Sequence, residues 1–195
     1  MQMESPSESS LPSTAATALQ HLWSIVLSKV GASSEAIAHT SPEAGVEAGL
    51  KLSALRARKI VRGAPIPIPS HLSAKQAYVI VKMGIPSRSM TPLGNHLGIG
   101  KGAVARVLGL DRATATRKVA NDDVLPIYAA ESMLRLLELD ALARNTFETP
   151  EEATAWLRQP HPMLDGELPI DCAKSGFGAE LVKDILNTIK YGGVV

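Results

Sequence analysis

The 195-residue chain has a single cysteine and few aromatic residues: two Trp, three Tyr and two Phe. With Cys172 alone, neither an internal disulfide framework nor a cysteine metal cluster can form. Scarce aromatics beside abundant Ala, Leu and Val favour helices over sheets. No apolar run approaches the roughly 20 residues needed to span a bilayer. The N-terminus lacks the basic-then-apolar order of a secretion signal. The expectation is a cytoplasmic, all-α protein with no membrane partner.

Enzymatic signatures are missing too. The segment Gly98-x-Gly100-x-x-Ala103 formally fits a dinucleotide fingerprint, but no strand precedes it and no parallel-sheet pattern surrounds it. Gly100-Lys101 suggests a phosphate loop, yet the spacing from Gly94 is one residue too long. Gly102 also stands where a magnesium-binding hydroxyl is required. His21, His39, His71, His96 and His161 show no metal-ligand spacing. The neighbouring pairs Asp122-Asp123 and Glu151-Glu152 do not face one another on a helix, so neither makes an acid/base dyad. No catalytic residues, metal or cofactor are expected, and a small NAD-binding enzyme is the weakest of the readings.

What the chain does have is an uneven charge. Net charge is only +1. Residues 1–48 carry five Glu against one Lys, residues 49–120 thirteen Lys or Arg against one Asp, and residues 121–195 six basic against thirteen acidic groups. A basic middle between acidic ends is the footprint of a nucleic-acid-binding segment joined to parts with other tasks.

Residues 1–13, rich in Ser, Pro and Glu, read as a disordered tail. Residues 14–62 read as a helical extension, with Leu19, Leu22, Trp23, Val26, Leu27 and Val30 at helical spacing and a second helix start at Ser41-Pro42-Glu43. The alternating prolines of residues 63–70 cannot continue a helix and predict an extended linker. Residues 71–124 then form the basic unit. Ser73 caps a helix through about Met83, and Ser89 or Thr91 opens a short one through Leu97. A third carries Val104, Val107 and Leu108; after the tight turn Gly109-Leu110-Asp111, a fourth runs from Arg112 to about Asn121.

Helix, short glycine-containing turn, helix is the helix-turn-helix arrangement, whose second helix enters the major groove. Arg112, Thr114, Thr116, Arg117 and Lys118 are the candidate DNA-binding residues, with Lys101 and Arg106 as candidate backbone contacts. Such proteins gain affinity as dimers on two half-sites, so a homodimer is expected.

Residues 125–195 hold the most specific punctuation. Thr149-Pro150-Glu151-Glu152 predicts a capped helix start with Pro at the first position and a capping box. Ala153, Trp156 and Leu157 face a core. Pro160 and Pro162 stop that helix, and His161 to Gly166 make a turn. The last helix is expected from about Ala179 to Lys190, with Leu181, Val182, Ile185, Leu186 and Ile189 on one buried face. Gly192 follows as the left-handed terminator.

Together these residues resemble a known family. Ala153-x-x-Trp156-Leu157, Pro160-His161-Pro162-x-Leu164-x-Gly166-x-x-Pro169 and Gly178-x-x-x-Val182-x-x-x-Leu186-x-x-Ile189-x-Tyr191-Gly192 look like the toxin-binding domain of Xre/MbcA/ParS antitoxins. Asp165 and His161 depart from the residues common at those places. Gly84-Ile85-Pro86, Leu97-Gly98-Ile99, Leu108-Gly109-Leu110 and Thr114-x-x-Arg117-Lys118 resemble, more loosely, the Xre-type helix-turn-helix that precedes it.

The resemblance implies an antitoxin that neutralises a cognate toxin of the RES type, which depletes NAD, by covering its active site, and that represses its own operon. The implied toxin-binding residues are Pro162, Met163, Leu164, Asp165 and Gly166 in the turn, then Lys183, Asp184, Asn187, Lys190, Tyr191, Gly192 and Gly193. The competing reading is a stand-alone transcription regulator, or an adaptor whose C-terminal domain binds another protein.

Overall fold

The computed structural model describes residues 17–26 and 72–192. The expected tail over 1–13, most of the extension over 14–62, the linker over 63–70, and Gly193 lie outside the described residues.

Every element is helical, and among the described residues the only β pairing is an isolated antiparallel bridge between Pro86 and Val124. Helix α1 spans 17–26. Helix α2 (Ala74–Met83) leads through a 3-10 turn (Ser87–Ser89) into α3 (Met90–Leu97), α4 (Lys101–Val107) and α5 (Arg112–Asn121). The long α6 (Ile127–Arg144) follows, then α7 (Pro150–Leu157), a 3-10 turn (Pro162–Leu164), α8 (Pro169–Cys172) and α9 (Gly176–Tyr191).

Local chemistry sets most of these boundaries. At α2, Ser73 accepts from the Gln76 N–H while Gln76 takes the Ser73 N–H, a reciprocal capping box. Thr149 and Glu152 make the same pair at α7, with Pro150 at the first position. Helix α9 ends at Gly192, whose φ of 73° is the left-handed conformation expected there.

Two features of α9 differ from the sequence reading. The helix begins at Gly176, ahead of the expected start at Ala179, because Ser175 caps it by accepting from the Gly178 N–H at 2.9 Å. Its buried side is formed by Ala179, Val182, Ile185 and Leu186, and Leu181 points outward at 56% exposure. Successive helical residues are about 100° apart, so Leu181 falls off the stripe centred on Val182 and Leu186.

The centre of the molecule is α6, which packs on α2, α7 and α9. Ala129, Ala130, Met133, Leu134, Leu136, Leu137, Leu139 and Ala143 are all buried on it. A helix apolar on nearly every side belongs in a core. One continuous cluster of buried side chains runs from Leu22 on α1 through α6 to Leu186 on α9. The basic unit and the C-terminal helices meet across it. They also meet at α4 and α8, where Arg106 lies 3.3 Å from Asp171. No helix among the described residues is long and apolar enough to cross a membrane.

Candidate functional site

Two surfaces present the sequence-predicted residues. The first is built on α5. Asp111 caps it, accepting from the Thr114 N–H at 2.8 Å. Hydrogen bonding from Thr114 holds the Asp111 carboxyl below the usual aspartate range. The far end is pinned to the 3-10 turn: the Ser87 hydroxyl donates to the Lys118 carbonyl, and Arg88 pairs with Asp122 at 2.6 Å. Ala115 anchors the helix in the core, which turns Arg112, Thr116 and Arg117 to solvent.

The seven candidate DNA-binding residues separate by what they touch. Arg112 and Arg117 are exposed, with side chains unpaired among the described residues, and Lys101 is exposed at the start of α4. Thr114, half-buried, is engaged with the cap. The Thr116 hydroxyl donates back to the Arg112 carbonyl, and Lys118 Nζ donates to the Val124 carbonyl at 3.3 Å. Arg106 leans on Asp171 of α8.

The second surface lies on the turn after α7 and on α9. In the turn, His161 Nδ1 accepts from the Met163 N–H, and the His161 N–H donates to the Glu167 carbonyl. Asp165 adopts a left-handed φ of 53° and Gly166 one of 82°. Pro162, Met163, Asp165 and Gly166 are exposed, whereas Leu164 is buried in the core. Trp156 is half-buried, its ring 5.8 Å from Phe147 and 5.5 Å from His161. That aromatic stack fixes the turn to the end of α7.

On α9, Asp184, Asn187, Lys190, Tyr191 and Gly192 are exposed, and Lys190 Nζ stands 5.6 Å from the Tyr191 ring. Lys183 is different. It is held at 3.0 Å from Glu138 of α6 and 2.9 Å from Glu180. Burial pulls its pKa down, but the hydrogen bonds it donates to Glu180 and Glu138, with their negative charge, outweigh it and leave the pKa raised above its ordinary value. The group clamps α9 to α6.

Residues 142–192, from the last turn of α6 to the end of α9, match the antitoxin Xre/MbcA/ParS C-terminal toxin-binding domain. The chain carries an Xre/MbcA/ParS-type antitoxin domain. It is also similar to the Prs ADP-ribosylating antitoxin of Sphingobium sp. (strain YBL2), at 28% identity over 122 residues, covering 58% of this chain and 77% of that protein. This antitoxin domain is thus the second surface and the three helices that support it.

Phe177 was absent from the sequence-predicted residues, yet it is the most exposed large apolar side chain of the antitoxin domain, at 91%. The available signal was Ser175: taken as a cap, it starts α9 early and puts Phe177 and Leu181 one turn apart on the outer face. Among the described residues no group of three or more His, Cys, Asp or Glu could hold a metal ion.

Proposed function

We propose that this antitoxin neutralises a RES-type, NAD-depleting toxin by covering the mouth of its active site, and that it represses its own operon through α5. The observation that carries the first part is the match of residues 142–192 to a toxin-binding domain whose outer side is formed by exposed turn and helix residues. Lys190 and Tyr191, paired at the end of α9, suit a site that accommodates an anionic dinucleotide: a cation meets phosphate and a ring meets the base. The ADP-ribosylating name of the Sphingobium relative favours a system concerned with the same dinucleotide. The exposed, unpaired Arg112 and Arg117 support operator binding, because arginine pairs with guanine edges and phosphates. A homodimer on two half-sites completes the picture.

The test is co-expression. The neighbouring reading frame is expressed alone and then with this protein, following growth and cellular NAD. Arrest with loss of NAD, relieved by this chain and not by a chain truncated before Lys190, is the expected result. A harmless neighbour, or one this chain fails to restrain, would overturn the proposal in favour of a regulator acting through α5.

A further inference from the structure

The outer face of α9 is apolar at both ends and acidic in the middle. Phe177, Leu181 and Tyr191 stand out at 91%, 56% and 78% exposure. At 100° per residue they fall in one stripe with Asp184 and Thr188, opposite the buried stripe of Val182, Ile185 and Leu186. The stripe is about 21 Å long at 1.5 Å per residue. Its midpoint is Asp184, whose carboxylate has no partner among the described residues. Glu180 lies beside it, and Lys183 has turned aside to Glu138 and Glu180.

Exposing Phe177 almost completely has a cost in water, since an aromatic side chain offers roughly 150–250 Å² of surface. Phe177 and Leu181, neighbours one turn apart, make an exposed apolar patch, and such patches mark binding surfaces. The charge pattern then selects the partner. Anionic nucleic acid and anionic membrane surfaces are repelled by the unpaired Asp184 at the midpoint, where Lys183 is already occupied by Glu180 and Glu138. A second copy pairing two-fold about the stripe would set Asp184 against its own counterpart, since the midpoint of an isologous contact meets itself. A different protein, with a cation opposite Asp184, has neither conflict.

We infer that α9 binds the toxin as a helix laid in a groove, with Phe177 and Leu181 as its apolar anchors and Asp184 paired to a toxin Lys or Arg. This rests on reading the chain as an antitoxin. It moves the weight of affinity away from the Lys190–Gly192 end, which covers the active site, to the opposite end of the same helix. Helix-in-groove recognition reads anchors at one-turn spacing, the spacing of Phe177 and Leu181. Few residues dominate such interfaces, and buried aromatics are prominent among them.

The experiment uses the full chain and the purified product of the neighbouring reading frame. Calorimetric titration gives the wild-type dissociation constant, then those of F177A/L181A and D184R. Both changes lie on exposed positions and neither lowers helix propensity much, so melting temperature and operator affinity serve as controls on the fold. The expected result is about a hundredfold weaker binding for the double variant and about tenfold or more for D184R, with unchanged melting. Wild-type affinity in both variants would overturn the inference and leave the antitoxin reading intact. No binding by the wild-type chain would overturn both. If F177A/L181A instead abolished self-association, seen by light scattering, with toxin affinity unchanged, the stripe would be a homodimer surface and the inference would fall.

Discussion

Asp140 joins three helices through one side chain. Its Oδ2 lies 2.6 Å from His96 Nε2 of α3 and 2.9 Å from Arg144 Nε, and Arg144 reaches on to Thr154 of α7 at 3.5 Å. The side chains of His96 and Asp140 are only 1% and 3% exposed. Removing the carboxylate takes a hydrogen-bond partner from the buried His96 ring and from the part-buried Arg144, a loss of about 1–3 kcal/mol. D140A is therefore expected to lose that much stability in urea unfolding. R88A, breaking the exposed pair with Asp122, should lose less than about 1 kcal/mol. Equal losses would show that burial does not set the difference. Asp111 offers a second test. Its folded pKa is depressed, so its contribution is present above the unfolded value and is lost as pH falls through the folded one, below about pH 4. D111N keeps a good cap but does not titrate. Its unfolding should depend less on pH between about 5 and 2 than that of the wild-type chain.

At the scale of elements, what was legible in the sequence was what is local. Ser73, Asp111, Thr149 and Ser175 each bond a backbone N–H three residues on, and two of the four helix starts, those at Ser73 and Thr149, follow from reading such residues as caps. Gly192 was equally readable as a terminator. Helix α6 left no such mark. Its polar face is one narrow stripe, Glu131, Arg135 and Glu138, and with Leu, Ala and Met on the other sides the period of 3.6 is faint, although it is the element the others pack on. The start of α9 was hidden by its glycines. Gly178 is there for contact: a Cβ at that position would come within 2.6 Å of the Cys172 carbonyl oxygen, where α9 crosses the end of α8. Alanine ordinarily favours a helix, yet G178A should cost about 1–3 kcal/mol by forcing α8 and α9 apart. A more stable G178A protein in thermal melting would mean that the crossing yields easily. The candidate contacts were only partly legible, because Lys183, Lys118 and Arg106 find partners distant in sequence or in other elements, and no spacing rule shows that.

At the scale of the whole molecule, the two surfaces are carried by one body. The main supports of α5 are α4 and the 3-10 turn, whereas α9 rests on α6 and α8. Replacing Arg112 and Arg117 together by Ala should therefore weaken operator binding and lower its salt dependence by up to about two phosphate contacts, with toxin affinity unchanged. Gel-shift titration at two salt concentrations, beside the calorimetric toxin titration, checks both halves. An unaltered salt slope would remove α5 from the operator.

The continuous cluster from Leu22 to Leu186 also ties the fates of these surfaces together. Were they on separately folding beads, each could be lost alone. Here the core that backs α4 and α5 also backs the antitoxin domain, so a protease that opens either end takes the footing from the other. Whatever the two faces hold, they let go on the same clock, and that clock is the unfolding rate of a single core.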